Sequence, residues 1–288
     1  MVLRVPSRTT LIGLGAGAQL VNGGLMLDKV SDVIVRNLHF SDAYDHFPAW
    51  DANDNGQGEW NSEYDNLSLR GATRVWVDHC SFDDGRRADA EEPPLLGRRL
   101  QRHDGLLDIT QQSDLVTVSW NHFRDHDKTV LVGSSDKQLL DEGKLRVSFH
   151  HNLWQQTRER SPRVRWGQVH VFNNLYLVHD AASFGYSLGV GYRSALYSQA
   201  NTWEIPQGLA QQALVRLYRG SAFADQGSIV NGRPVDLLAG LRAANPGVAI
   251  SGDVGWLPEQ AASADPASEV AARVRAGAGQ GRLWVGAD

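Results

Sequence analysis

A short pattern that ends in an aromatic residue recurs along this chain at irregular spacing. Its copies open on branched aliphatic residues, at Val33, Val75, Val116, Val147, Val169 and Leu196. The eighth position holds an aromatic residue each time: Phe40, Phe82, Phe123, Trp154, Tyr176 and Trp203. Internal repeats are typical of solenoids, in which each repeat contacts only its neighbours. The repeat therefore predicts a stack of coils.

Asparagine occupies the sixth position of the last four copies. Leu38 and Cys80 hold that position in the first two copies, and the later copies have Asn121, Asn152, Asn174 and Asn201. A side-chain amide both donates and accepts hydrogen bonds, so asparagines in one register can bond along a column. Such a ladder requires copies that lie directly on top of one another, which favours a solenoid of parallel strands over a sandwich.

A second strand-like segment precedes each copy, so each coil contains at least two strands. These segments span residues 24–28, 65–69, 106–110, 128–133, 163–166 and 186–190. The shortest spacing between successive aromatic residues, from Trp154 to Tyr176, is close to one turn of a right-handed parallel β-helix. Longer spacings indicate loops inserted on one side, at 42–62 and 83–103, where solenoids usually carry their binding face. The predicted fold class is therefore all-β, a right-handed parallel β-helix.

The repeat fades after about Gln207. The remaining sequence is rich in Ala, Gly and Pro, with one helix predicted at 266–275. Exposed strand edges need cover, so we expect residues 207–288 to form a cap and a packing arm along coils at about 10–206, within one domain of residues 1–288. Because solenoids normally begin with a capping element, we also expect that the start of the natural protein is missing.

Composition excludes several classes of protein. The chain has 288 residues, a formal net charge of -5 and no apolar run near the roughly 20 residues needed to cross a bilayer. Its sole cysteine, Cys80, excludes an internal disulfide and any multi-cysteine metal site. No segment near Met1 resembles a signal peptide. We expect a monomer that binds neither membrane nor nucleic acid.

Four arginines lie within eight residues of this acidic chain. They are Arg158, Arg160, Arg163 and Arg165. Positive charge concentrated in this way indicates a site for an anionic ligand. The alternative is a solvated turn in which Glu159 is the ionic partner.

Acidic residues gather near the first strand of neighbouring coils. Asp65 opens that strand in one coil, Asp104 and Asp108 bracket it in the next, and Lys128 opens it in the following coil. Coils stack at about 4.8 Å, so residues in similar registers become neighbours. Clustered carboxylates suit Ca²⁺, whose coordination is flexible, whereas zinc prefers histidine or cysteine. The alternative is that these acids only neutralise the nearby cations.

Five separated segments occur in an order and spacing that match one family. They are 65–69, 75–80, 104–108, the pair Asp127 and Lys128, and 160–165. Together they resemble the pectate lyases of the pectate and pectin lyase superfamily, over roughly residues 10–203. This chain departs from the family by having Glu63 where some members have aspartate, and by lacking the N-terminal cap.

The resemblance implies a secreted enzyme that cleaves polygalacturonate, which is demethylated pectin, by β-elimination with the help of Ca²⁺. It assigns Asp65, Asp104 and Asp108 as calcium ligands, and Glu63 as a ligand through water. Hard oxygen donors of this kind agree with the chemistry of the metal.

The resemblance also makes Arg160 the general base, with Lys128 and Arg165 contacting substrate carboxylates. The C5 proton of galacturonate is weakly acidic, because the adjacent carboxylate must take up further negative charge as the proton leaves. Nearby cations stabilise that charge. Free arginine has a pKa above about 12, so we expect Ca²⁺, Lys128 and Arg165 to lower the pKa of Arg160.

Three other functions compete with this interpretation. A polygalacturonase-like hydrolase needs a pair of carboxylates, and only Asp83 and Asp84 are adjacent near a repeat end, where Gly85 favours a turn. A pectin lyase acting on methylated substrate would not need the three acids. A non-catalytic polysaccharide-binding β-helix would need neither these acids nor Arg160.

Overall fold

The computed structural model describes residues 1–283, without the side chain of Asn55, and its strands form three long parallel sheets. Each coil contributes one strand to sheet A, one to sheet B and one to sheet C before the chain begins the next coil. This arrangement is a parallel β-helix, so the predicted fold class is confirmed. Each copy of the sequence repeat covers a sheet B strand and the sheet C strand that follows it.

The strand bounds follow the order of the chain within each sheet. Sheet A contains Val2–Arg4, Gly24–Asp28, Leu67–Arg70, Leu107–Thr110, Val130–Val132, Arg163–Val164, Leu188–Val190 and Val215–Leu217. Sheet B contains Thr9–Ile12, Ser31–Arg36, Thr73–Asp78, Asp114–Ser119, Val147–His150, Gln168–Phe172, Ala195–Gln199 and Ala222–Gln226. Sheet C contains Gln19–Val21, His39–Ser41, Ser81–Asp83, His122–Lys128, Leu153–Glu159, Leu175–Leu177, Thr202–Glu204, Ile229–Val230 and Arg233–Pro234.

Smaller elements lie outside the three sheets. Two antiparallel hairpins pair Ala49–Asp51 with Glu59–Asn61 and Pro94–Leu95 with Arg98–Arg99. The α-helices are Leu237–Ala244 and Ala267–Gly277, and short 3₁₀ turns occur at Asp54–Gly56, Asp89–Glu91, Leu139–Asp141, Gln211–Ala213 and Glu259–Ser263.

The interior contains the predicted asparagine ladder. Asn121 donates to Asn152 at 3.0 Å, Asn152 to Asn174 at 2.9 Å, and Asn174 to Asn201 at 3.0 Å. The ladder ends where Cys80 donates its backbone N–H to Asn121 at 2.8 Å. Because each amide is buried and bonded on both sides, the ladder fixes the register of one coil on the next.

A column of aromatic rings runs beside the ladder. The eighth-position residues stack ring on ring, from Phe40 to Trp203, with centroids 4.5–5.9 Å apart. These rings are essentially inaccessible to solvent. Stacked rings of this size supply much of the buried apolar surface of a solenoid core.

The coils extend further along the chain than the repeat does. Strands of all three sheets are present from Val2 onward, and Val215–Leu217, Ala222–Gln226 and Ile229–Val230 form a coil beyond residue 206. The expected coil limits of about 10–206 are therefore too narrow. In the last coil Phe223 fills the core, but the asparagine and aromatic positions of the repeat are replaced by Ser228 and Val230, which hid this coil in the sequence.

The C-terminal segment is a packing arm, as predicted. The helix Leu237–Ala244, which the sequence did not reveal, buries Leu237 and Leu241 against the last coil. The chain then crosses sheet B, where Trp256 donates to the carbonyl of Ala195 at 3.2 Å. The helix predicted at 266–275 is found at Ala267–Gly277, and it packs Val270 and Val274 on sheet C. Within residues 1–283, no helix is both long and apolar enough to span a membrane.

The ladder predicts a stability cost that depends on position. Asn152 donates to the carbonyl of Val118 and to Asn174, and accepts from Asn121. Replacing it with alanine leaves buried polar groups unpaired, at about 1–3 kcal/mol for each group. We expect Asn152→Ala to lower the free energy of unfolding by about 2–4 kcal/mol, measured by chemical denaturation followed by circular dichroism.

The control for this variant is Asn53→Ala. Asn53 is exposed in an inserted loop, and its loss should change stability by no more than about 0.5 kcal/mol. Equal losses in the two variants would contradict a structural role for the ladder.

Candidate active site

The inserted loops 42–62 and 83–103 both leave the coil between sheet C and sheet A. They contact each other, since the indole N–H of Trp60 donates to the carbonyl of Leu95 at 3.0 Å and Arg102 donates to the carbonyl of His46 at 3.0 Å. Beside them lies a polar cleft of about 490 Å³. Its lining residues are Asp54, Glu59, Asn61, Gln101, Asp127, Lys128, Arg158, Glu159, Arg160, Arg163 and Arg165.

Two of the predicted metal ligands converge beside this cleft. Asp65 precedes a sheet A strand, and Asp108 lies on the next one, where it pairs with Ser68 across the sheet. A Cβ atom added to Gly105 would lie 2.5 Å from an oxygen of Asp108 and 3.1 Å from an oxygen of Asp65. The two carboxylates therefore approach the same backbone position, which has room only for glycine.

Burial and neighbouring acids disfavour the charged forms of Asp65 and Asp108. Burial and the negative charge of Asp104 raise the pKa of Asp65 to about 7, although Ser68 and the backbone N–H of Gly105 donate to its carboxylate. Burial, followed by the charges of Asp65 and Asp104, raises the pKa of Asp108 well above its usual range. Like charges held together in this way are stabilised by a bound cation or by a proton.

Asp104, which lies near the other two acids, is paired with a cation. Its carboxylate lies 3.1 Å from the ammonium of Lys128, which is the last residue of a sheet C strand and does not open a sheet A strand as expected. Among the residues that the structure describes, no three His, Cys, Asp or Glu side chains already have the geometry to hold a metal ion. The third predicted ligand is therefore nearby but engaged elsewhere.

Glu63 does not contact the other three predicted metal ligands among the described residues. It is exposed, and its backbone N–H donates to Asp45 at 3.1 Å within the inserted loop. Its carboxylate makes no hydrogen bond to the other predicted ligands in residues 1–283. Its role as a ligand through water stays a prediction.

Arg160 lies at the cleft with an acid beside it. Its Nε donates to the adjacent Glu159 at 3.2 Å. Burial would lower the pKa of Arg160, but the charge of Glu159, with smaller contributions from Tyr186, Asp108 and Asp104, raises it. The expectation that cationic neighbours lower this pKa is therefore wrong for the protein groups alone, because acidic neighbours dominate.

The other three arginines of the cluster have distinct partners. Arg165 donates to Asp136 at 3.0 Å and to the carbonyl of Gly133, and burial and the neighbouring arginines lower its pKa. Arg163 stacks on the ring of Tyr218 at 4.0 Å. The four arginines thus line one cleft, and Glu159, the ionic partner expected for a solvated turn, pairs with Arg160. The fourth member, Arg158, pairs with Asp127 at 2.7 Å.

Sequence reasoning missed a buried histidine beneath the acids. His126 lies 2.6 Å from a carboxylate oxygen of Asp84 and 2.7 Å from the backbone carbonyl of Asp104, so it holds together the two ends of the inserted loop 83–103. Burial alone would lower its pKa, but Asp84 raises it. Strand alternation could not reveal this placement, because Asp125 has a positive φ of 51° that breaks the in-and-out order.

Asp83 and Asp84, the adjacent acids considered for a hydrolase, both make hydrogen bonds that hold the local structure. Asp83 accepts from Arg124 at 2.6 Å and from the backbone N–H of Gly85 at 2.9 Å, as the predicted turn requires. Asp84 is bonded to His126. Both carboxylates are buried in this network, which argues against their use as a catalytic acid and base.

The fold and the cleft define a parallel β-helix protein with acids and cations gathered at one side of its sheet A. A model of the pectate lyase family matches residues 2–279. The chain therefore belongs to the pectate lyase family.

Comparisons with individual proteins agree with this membership. The chain is 40% identical over 286 residues to a pectate lyase of Bacillus subtilis, covering 98% of this chain and 66% of the relative. It is 35% identical to pectate lyase E of Dickeya chrysanthemi, covering 98% of this chain and 73% of that protein. The chain thus spans about two thirds of the length of these relatives.

Solved structures give the same result. A pectate lyase bound to a hexasaccharide superposes with a TM-score of 0.91 at 38% identity, covering 98% of this chain and 69% of that one. A thermostable pectate lyase superposes with a TM-score of 0.94 at 38% identity, covering 99% of this chain and 70% of that one.

The raised pKa of Asp65 predicts how stability depends on pH when divalent cations are removed by a chelator. The pKa of Asp65 is about 7 in the folded protein and near 3.9 in the unfolded chain, so the folded protein holds the protonated carboxyl more tightly. The resulting contribution to stability is fully present below pH 4, where the carboxyl is protonated in both states. That contribution is lost as the pH rises through 7. Asp65→Asn should therefore stabilise the chelator-treated protein at pH 8, by at most about 4 kcal/mol, measured by denaturant unfolding.

The control variant is Asp28→Asn, since Asp28 is an exposed acid of the same sheet that pairs with Arg4. Its stability at pH 8 should change by less than about 1 kcal/mol. An Asp65→Asn protein that is less stable than the parent at pH 8 would show that the carboxylates do not repel.

Proposed function

We propose that this protein cleaves polygalacturonate by calcium-dependent β-elimination. The proposal depends on one observation, made in a chain of the pectate lyase family: the acids Asp65 and Asp108 converge, and Asp104 beside them pairs with Lys128 of the cation-lined cleft. The acids suit a divalent cation, and the cations suit a polymer that carries one carboxylate on each sugar. The related structure with a bound hexasaccharide is consistent with a carbohydrate substrate.

The residues present fit calcium in their chemistry. Asp65, Asp104 and Asp108 offer hard oxygen donors, and the first and third already converge beside Gly105. The raised pKa values of Asp65 and Asp108, which come from burial and neighbouring acids, support a cation at this position. We propose that these three side chains hold the ion and that Glu63 contributes through water. Bound there, calcium would stabilise the negative charge that develops on the substrate carboxylate.

Lys128 and Asp104 would exchange partners during this assembly. The two side chains pair at 3.1 Å, so Asp104 cannot serve both Lys128 and a metal equally well. Transfer of Asp104 to a cation would leave the ammonium of Lys128 available in the cleft. We propose that Lys128 then meets a substrate carboxylate, and that Arg165 meets another.

Arg160 is the proposed base. In the elimination, the neutral form of Arg160 takes the proton from C5 of galacturonate, a double bond forms between C4 and C5, and the bond from C4 to the glycosidic oxygen breaks. That oxygen leaves with the electron pair of the bond and takes a proton from solvent water. Charge grows on the neighbouring carboxylate as the proton leaves, and Lys128 and Arg165 stabilise it. Within residues 1–283, the two terminal nitrogens of Arg160 donate no hydrogen bond, so they are available to the substrate.

Location and assembly complete the proposal. A polymeric substrate and the family membership support secretion. We propose that the enzyme acts outside the cell as a monomer, without a nucleic-acid or membrane partner.

The reaction class can be tested by its product. Polygalacturonate incubated with the protein and Ca²⁺ should give rising ultraviolet absorbance, because each cleavage creates an unsaturated sugar end. Arg160→Lys should remove nearly all of this absorbance while leaving the circular dichroism spectrum unchanged. Reducing ends that form without absorbance would establish a hydrolase, and binding with neither signal would establish a non-catalytic module.

The calcium ligands can be tested separately from the base. Asp108→Asn removes one charged ligand and should raise the Ca²⁺ concentration for half-maximal activity by about tenfold or more, in line with about 1–3 kcal/mol for a charge-assisted contact. Asp127→Asn, which removes an acid paired with Arg158 in the same cleft, is the matched control and should leave that concentration unchanged. An unaltered calcium requirement in Asp108→Asn would exclude this residue as a ligand.

A further inference from the structure

An acid lies directly beside the proposed base. Glu159 ends the sheet C strand Leu153–Glu159, pairs in register with Lys128, and lines the same cleft as Arg160. We propose that Glu159 is a positioning residue that orients the guanidinium of Arg160 and sets the pH at which the base becomes available. This inference rests on the proposed function, in which Arg160 removes the C5 proton.

The contact between the two residues fixes one end of the guanidinium. The carboxylate of Glu159 accepts from Nε of Arg160 at 3.2 Å, and each side chain is only about one fifth exposed, at 19% and 21%. A guanidinium held at Nε presents its two terminal nitrogens outward in a fixed plane. The contact therefore leaves the nitrogens that would take a proton free to face a substrate.

Charged and titratable groups surround Arg160 from several elements. The groups that favour its charged form are Glu159, Tyr186, Asp104 and Asp108. The neighbouring cations are Lys128, Arg163 and Arg165. Among these, Glu159 has the largest stabilising effect on the charged form of Arg160.

Glu159 differs from the other two carboxylates in this set. Asp104 and Asp108 are proposed metal ligands, so a bound cation would cancel their charge. Glu159 is bonded to Arg160 itself, and its charge stays uncompensated by a metal. Tyr186 is buried, and its hydroxyl has no hydrogen-bond partner among the described residues. In the metal-loaded enzyme, Glu159 is therefore the carboxylate that keeps Arg160 protonated.

Glutamine at position 159 separates the two roles of this side chain. The amide oxygen of Glu159→Gln can still accept from Nε, so the orientation of Arg160 is retained. The negative charge is lost, so the protonated guanidinium is less favoured. A base with a lower pKa is available at lower pH, although it is also intrinsically weaker.

The test is the pH profile of kcat for polygalacturonate at saturating Ca²⁺. In Glu159→Gln the rising alkaline limb should move to lower pH by about one unit, so that kcat at a fixed pH below the limb increases by about three- to tenfold. Glu159→Asp, which keeps the charge, should restore a limb near that of the parent. A limb that stays in place in Glu159→Gln would overturn the proposal.

A charge-matched control excludes a general effect of net charge. Glu142→Gln removes one negative charge from an exposed acid that pairs with Arg193 and does not line the cleft. Its alkaline limb should coincide with that of the parent. An equal shift in both variants would show that Glu159 acts only through net charge and would overturn a specific role.

Binding provides a readout that does not depend on turnover. Trigalacturonate affinity, measured by calorimetry, should increase about threefold or more in Glu159→Gln, because a charge that repels substrate carboxylates is removed. A parent protein that neither binds nor cleaves the oligomer would refute the proposed function itself. A parent that does both, with unchanged affinity and an unmoved limb in Glu159→Gln, would refute only the role of Glu159.

Discussion

The stacking of one coil on the next is the constraint on which the rest of this structure depends. Hydrogen bonds along the asparagine ladder and contacts along the aromatic column hold neighbouring coils in one register. A register shift by one residue would turn inward side chains outward. Stacking also brings together residues that are far apart in the chain. Asp108 and Arg163, for example, lie on strands that both pair with the strand Val130–Val132.

The rigid stack allows charges to be placed where they are individually unfavourable. Burial, followed by the charges of neighbouring acids, raises the pKa values of Asp65 and Asp108, and the backbone holds both carboxylates beside Gly105. Sites that bind ions often concentrate such groups, and the surrounding structure supplies the stability that they lack. The buried acids therefore cost stability in the protein alone, and binding of a cation would offset that cost.

The sequence predicted the parts of the fold that follow from repetition. The asparagine and aromatic positions predicted the solenoid, but the last coil was hidden because Ser228 and Val230 replace the expected residues. The candidate site residues were predicted by resemblance to a family, but the ion pairs and hydrogen bonds that these residues make were not predicted. Lys128 was assigned to the wrong strand, and His126 was missed, because the positive φ of Asp125 breaks alternation there. Such local backbone conformations depend on tertiary contacts and leave little trace in a single sequence.

A crystal structure of the Arg160→Lys protein grown with Ca²⁺ and an oligogalacturonate would show directly whether the stacked coils assemble one calcium and substrate site. We expect calcium between Asp65, Asp104 and Asp108, with sugar carboxylates on Lys128 and Arg165. Calcium bound at another place, or an oligosaccharide bound away from this cleft, would show that the coils do not assemble such a site.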